Sequence, residues 1–491
     1  MPLSKVIHQG MACLALLCTL QAQARAADPV AGARIAARGG AACASCHGRE
    51  GEGSAHYPPL AGQPAAYLQR QLQAMADGQR QAPLMGPVAR SLSAQEKADV
   101  AAYYASLPLA VNPRQGPLPT AHSSDGAWLV ERGRWADGIA ACAKCHGPGG
   151  AGVGQDFPAI GHLTASYMQA QIDAWKRQGR EAGPLGLMGE IARKLTPKDI
   201  EDIAAYYRQL HSAAGPAQAQ RPAPAARTEA SHPPDARAIP DSRLGEWIQR
   251  GEAIFMRTPE NASGFSGNSL SCTHCHLDAG RLKNAAPLWG AYPMYPAYRQ
   301  KSGRVETFAE RVRGCFVFSL NGRAPDPGHD LLVALETYAY WMAAKAPLGE
   351  RLPGAGLVKL APPPQRPTFA AGQAVYARHC ALCHGTQGQG RKSGAVTVFP
   401  ALWGKDSYNW GAGMHEIDKA AGFIRSNMPY GQHNVLSEQQ AWDVATFINS
   451  FERPQDPRFT GDVAQTRKQF HDTPHSMYGV RVNGKLLGTG P

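Results

Sequence analysis

Eight cysteines and four histidines recur in one pattern, Cys-x-x-Cys-His: Cys43/Cys46/His47, Cys142/Cys145/His146, Cys272/Cys275/His276 and Cys380/Cys383/His384. The composition predicts about 0.01 such motifs by chance. Two thiols at this spacing bind a porphyrin through paired thioethers, and the adjacent imidazole takes the iron. A disulfide framework has no use for a histidine after every second cysteine, and a zinc site needs further ligands close by. The expectation is four covalently bound haem c groups, with His47, His146, His276 and His384 as iron ligands.

The remaining axial position of a small haem unit is commonly a downstream methionine. Met85 and Met188 occupy equivalent places after the first two motifs, and Met428 follows the fourth in Asn-Met-Pro-Tyr-Gly. Met75, Met168 and Met414 are rivals, and most methionines simply fill core gaps. After the third motif that place holds Cys315. Of the eleven cysteines, Cys13 and Cys18 lie in the leader described below and eight belong to the motifs, so Cys315 is left over. A buried structural thiol is the bland reading. A thiolate axial ligand explains both the spare cysteine and the missing methionine, and it holds ferric iron at low potential.

Cys315 lies in Arg311-Val-Arg-Gly-Cys315-Phe-Val-Phe-Ser319-Leu-Asn321-Gly-Arg323. With Cys272-Thr-His-Cys-His276 and Asn427-Met-Pro429, this stretch resembles the dihaem thiosulfate dehydrogenases over roughly 240–460. Residues 27–212 resemble the two-haem cytochrome c that accepts electrons from those enzymes. The resemblance implies oxidation of two thiosulfates to tetrathionate, reversible in some members. It also implies a catalytic third haem held by His276 and Cys315, and electron passage through a fourth held by His384 and Met428. Members often place a lysine before that methionine. Here the position is Asn427, and Arg425 stays protonated, so the residue used for ligand switching is lacking.

The chemistry argues in the same direction. Joining two dianions needs clustered cations, and Arg299, Lys301, Arg304, Arg311, Arg313 and Arg323 face only Glu306 and Glu310 in this stretch. Arginine forks suit sulfonate-like oxygens, while Ser319 and Asn321 offer neutral hydrogen bonds. The bland alternative is a solvated basic loop or partners for haem carboxylates. Arg311 is the leading catalytic candidate because a helix would set it one turn from Cys315. A purely electron-carrying multihaem cytochrome is the rival function, and the haem subunit of a sulfur-oxidising complex is a third reading.

These residues need elements to hold them. The chain repeats: Ser93–Leu107 matches Thr196–Leu210, both ending Ala-Ala-Tyr-Tyr-x-x-Leu. Ser93 with Glu96 makes a capping box, and Thr196 caps a helix with Pro197 in its first position. Further helices are expected over Leu244–Ile254, Asp330–Ala344, Gly372–His379 and from Ser437, where Gln440 completes another box. Sixteen of the thirty residues 211–240 are Ala or Pro, a semi-extended linker. The expected architecture is all-α, with four cytochrome c-type haem domains in two dihaem halves. The domains span 27–112, 113–212, 241–352 and 353–460, with a linker at 213–240. The tail 461–491 is polar and irregular, with no element assigned.

Apolar residues form 43% of the 491, charged residues 18%, and Gly and Pro number 53 and 39. This balance fits a turn-rich globular chain and excludes a polyampholyte or a coiled coil. No apolar run reaches the ~20 residues of a spanning helix. Lys5, the apolar Met11–Leu20 stretch and Ala24-Arg25-Ala26 read as a secretory signal peptide over 1–26, so a periplasmic location is expected. Its loss would take Lys5 and Arg25 from the formal charge of +12. No nucleic-acid motif accompanies the basic balance. The expected partners are thiosulfate, tetrathionate and a downstream redox protein such as a small cytochrome or terminal oxidase.

Overall fold

The computed structural model describes residues 25–38, 43–54, 57–108, 124–181, 183–211, 233–235, 238–344, 346–432 and 434–491. The signal-peptide expectation and most of the linker lie outside the described residues. Among the described residues helices dominate, and strands form only three two-stranded antiparallel sheets. Among the described residues no helix is long and apolar enough to cross a membrane.

The same crossing is built four times. An opening helix packs on a closing helix in each unit: Pro29–Ala36 on Ala94–Ser106, Asp125–Glu131 on Pro197–His211, Arg243–Met256 on Asp330–Met342, and Phe369–His379 on Glu438–Asn449. A glycine sits at each crossing. A Cβ on Gly32, Gly126, Gly251 or Gly372 would lie 2.0–2.1 Å from the carbonyl oxygen of Asp99, Asp202, Ala334 or Asp443. Such contact is impossible, so hydrogen at that position is what lets the backbones meet. The boxes at Ser93/Glu96 and Ser437/Gln440 are present, and Thr196 Oγ1 accepts from Asp199 N at 3.1 Å.

The two N-terminal units clasp through a symmetric exchange. Arg80 donates to Tyr167 and Gln171 of the second unit at 2.9 and 2.8 Å, while Arg180 donates to Tyr67 and Gln71 of the first at 3.2 and 3.1 Å. The third and fourth units join through Asn409 and Asn427, described below. The halves then lock together. Phe157 and Phe399 rings lie 5.2 Å apart, Trp135 meets Tyr430 at 5.0 Å, Arg391 pairs with Asp156 at 3.2 Å, and Arg132 pairs with Glu252.

The tail has structure that the sequence reading left unassigned. It forms a helix over Val463–Phe470 and a hairpin of Arg481–Val482 with Lys485–Leu486. Tyr478 and Leu487 bury against Trp410 of the fourth unit. Its apolar residues are spaced too widely for a periodic signal, so only the contact with the fourth unit defines it.

Candidate active site and haem cradles

The described cysteines are all free of disulfides. In every motif the histidine turns Nδ1 to a backbone carbonyl: His47 to Pro58 at 2.7 Å, His146 to Pro158 at 2.8 Å, His276 to Ala286 at 2.6 Å and His384 to Pro400 at 2.9 Å. A carbonyl only accepts, so Nδ1 carries the proton and Nε2 keeps its lone pair for a metal. In the N-terminal half one cavity of about 1340 Å³ is lined by both motifs together with Met85 and Met188. Met75 and Met168 also reach it. In the fourth unit Met428 packs between two apolar clusters. The fully buried Arg453 leaves Nε and Nη1 without partners there, donors suited to a carboxylate-edged porphyrin. The residues present fit covalent haem.

The third motif contains an extra imidazole, His274. Its Nδ1 accepts from Ser271 N at 2.9 Å, and its Nε2 lies 3.2 Å from the Thr397 carbonyl. Both nitrogens are occupied, so His274 ties the third unit to the fourth.

Cys315 rides on the helix Phe308–Phe318, which starts at a Thr307/Glu310 capping box that the sequence reading passed over. The segment is helical, and Arg311 Nη1 lies 3.4 Å from Cys315 Sγ. The sulfur's charge raises Arg311 above its ordinary value. Burial and then the Cys315 charge push the Cys275 thiol up to about 11, which locates Cys315 beside the third motif.

The predicted basic cluster divides. Lys301, in the turn between strands Ala297–Arg299 and Arg304–Glu306, reaches over the Phe318 ring at 3.3 Å and donates to the Gly411 carbonyl. Burial, then Arg458 and Arg311, pushes it down to about 7. Arg304 instead points to solvent and pairs with Glu310 at 3.4 Å. Arg313 and Arg323 anchor the carbonyls of Pro325 and Gly264 at 2.8 and 2.7 Å. Ser319 ends the helix, and its carbonyl accepts from Asn268. Asn321 takes a left-handed turn at φ 50° and accepts from Asn409 Nδ2 at 3.2 Å. The structure thus brings Arg311 and Lys301 toward Cys315, and gives Arg304 and the Asn321 side chain other partners. Asn427 is buried and donates to the carbonyls of Asn284 and Phe423 at 3.1 and 3.0 Å.

Arg458 was missed altogether. Its guanidinium lies 5.3 Å from the Phe318 ring, delivered by the loop before the tail helix. No local pattern marks it, because it reaches Phe318 only through the docking of the fourth unit on the third.

Comparison with known proteins agrees with this architecture. The cytochrome c family matches residues 30–108 and 131–211, and the cbb3-type cytochrome c oxidase subunit III family matches 367–448. A thiosulfate dehydrogenase of Thiomonas intermedia is 52% identical over 256 residues, 52% of this chain and 82% of the relative. A thiosulfate dehydrogenase electron acceptor of the same organism is 44% identical over 33% of this chain and 76% of its own length. A solved thiosulfate dehydrogenase from Marichromatium purpuratum superposes with a TM-score of 0.84 at 40% identity, covering 94% of this chain and 99% of the other. Two dihaem-type halves, one like the enzyme and one like its acceptor, are therefore joined here, and the chain belongs to the thiosulfate dehydrogenase family.

Proposed function

We propose that this chain oxidises two thiosulfates to tetrathionate at the Cys315 helix and passes the electrons through its N-terminal half. The observation that carries the reading is the Arg311–Cys315 contact beside the His276 motif, with Lys301 facing the same helix. In the reaction a sulfur–sulfur bond forms between two dianions and two electrons leave. Four bound haems, one per motif, would supply the electron acceptors. Their axial sets would be His47/Met85, His146/Met188, His276/Cys315 and His384/Met428. The location would be periplasmic, and the reaction reversible.

The chain's own residues do the rest. Arg311 points Nη1 at the Cys315 sulfur and sets a fixed positive charge beside it. Arg311 and Lys301 offset the repulsion between the two sulfonate-bearing substrates, strongly because the site is partly withdrawn from water. Phe318 and the Asn409–Gly411 backbone close one side. Asn409 Nδ2 holds the Val317 carbonyl at 2.9 Å, and a Cβ on Gly411 would lie 2.4 Å from the Phe318 ring.

Mixing the oxidised protein with thiosulfate and following haem reduction by absorbance tests the reading. Reduction with tetrathionate as product is expected. A protein that reduces only with an electron donor and ignores thiosulfate is a plain electron carrier.

A further inference from the structure

The fourth unit and the tail bring a buried chain of ring nitrogens to the edge of the Cys315 site. His415 Nδ1 lies 2.5 Å from the Ala412 carbonyl, His415 Nε2 lies 3.2 Å from His471 Nδ1, and His471 Nε2 lies 3.0 Å from Asp456 Oδ2. His471 and Asp456 are fully buried. The carbonyl and the ionised carboxylate at the two ends can only accept. Each end contact therefore takes a ring N–H, His415 Nδ1 to the carbonyl and His471 Nε2 to the carboxylate. Burial pushes His415 down to about 3. Burial alone would raise Asp456, but bonds from His471 and Arg458 hold it well below the usual carboxylate range.

Asp456 grips Arg458 in a fork, Nε to Oδ1 at 3.0 Å and Nη2 to Oδ2 at 2.6 Å. That leaves Nη1 without a hydrogen-bond partner among the described residues. The same guanidinium lies 4.3 Å from the Phe470 ring and 5.3 Å from Phe318, whose ring also carries Lys301. Lys301 and Arg458 thus meet over the Phe318 ring at the end of the helix that carries Arg311 and Cys315, with Asp456 as the close counter-charge to Arg458. Cationic groups set along one helix beside a reactive sulfur favour an anion between them.

We propose that Arg458 is a second substrate anchor, its free Nη1 edge binding one of the two sulfonate groups that tetrathionate carries, while Asp456, His471 and His415 act as positioning residues that fix its orientation. This rests on the thiosulfate reading of the site. A clamp three residues deep explains why the tail folds back onto the fourth unit: Tyr478 stacks on His471 at 4.2 Å and seals the chain from water.

The test uses the full-length haem-loaded protein. Wild-type turnover of thiosulfate comes first, since an inert wild type overturns the reading on which this inference rests. With an active wild type, Arg458→Gln should raise KM for thiosulfate about tenfold or more, the loss of one charge-assisted hydrogen bond. Its kcat should stay within a few fold, Arg458→Lys should recover part of the loss, and His471→Gln should raise KM by a smaller factor. An unchanged KM in Arg458→Gln overturns the inference. So does an equal fall of kcat and KM in both Arg458 variants with a lowered melting temperature, the signature of a tether. A second measurement needs no variant. Tetrathionate added to the oxidised wild type should protect Arg458 from phenylglyoxal, read by peptide mass mapping, and unprotected labelling there counts against the anchor.

Discussion

At the scale of single residues, the proposed reaction rests on Cys315 and its neighbour Arg311. Cys315→Ala should keep all haems attached, because the thioethers use the other eight motif cysteines. Thiosulfate oxidation should fall by orders of magnitude, and the ferric spectrum should lose its sulfur-ligand signature. Cys315→Met is the finer probe. A thioether supplies an ordinary axial ligand and should raise the potential of that haem, yet turnover should not return, because a thioether cannot form a reversible sulfur–sulfur bond. Titration of the variant and a steady-state assay check both halves of the statement. Cys315 stood out in the sequence because every other cysteine beyond the leader-like stretch belongs to a motif. Arg311 was legible because helical spacing places it one turn away. Arg304 and Asn321 have partners in Glu310 and Asn409 that the sequence did not announce, because a count of charges and amides does not show which side of a hairpin or turn each faces. Arg458 and the His415/His471 pair were invisible, since only the docking of the fourth unit and the tail brings them near the Phe318 end of that helix.

At the scale of elements, helix boundaries and caps were the most readable part. Ser93, Thr196 and Ser437 all start helices as their side chains require, and the box at Thr307/Glu310 was readable but overlooked. The four-fold glycine crossing was not extracted, because a single glycine in a helical pattern has no signal until its partner carbonyl is known. It makes a direct prediction. Gly251→Ala must force the Arg243–Met256 and Asp330–Met342 helices apart, costing about 1–3 kcal/mol, visible as a lower thermal midpoint with haem still attached. The closing helix of the second unit offers a pH test. Hydrogen bonding from Arg134 holds Asp199 at about 2, below its ordinary carboxyl value. A depressed carboxyl contributes stability above its unfolded value and loses it as pH falls through the folded one. The stability gap between wild type and Arg134→Met should therefore be full above about pH 4 and close as pH approaches 2. Acid melts of the two proteins read that gap.

At the scale of the whole molecule, the two dihaem halves were legible as a duplication followed by a change of composition, but their embrace was not. Nothing in the Ala/Pro-rich stretch announces that Phe157 will lie against Phe399 or that Arg132 will bury its charge against Glu252. Removing one partner of that pair leaves the other charge uncompensated, so Arg132→Met should weaken docking of the halves by about 3 kcal/mol. Calorimetry should then resolve two transitions where those of the wild type should overlap, and the 211–240 stretch should be cut faster by protease.

The position of two thiols at that seam bears on how the protein is made. Cys145 and Cys383 pack with Val153, Phe157, Val398 and Phe399 in the apolar cluster that joins the halves. A maturation enzyme must reach both thiols to weld porphyrin to the chain, and no enzyme reaches into a closed seam. With haem on each motif as proposed, attachment would belong to the open polypeptide, before the halves meet. A chain that folded shut without porphyrin at Cys145 or Cys383 would have hidden the thiols needed for its repair.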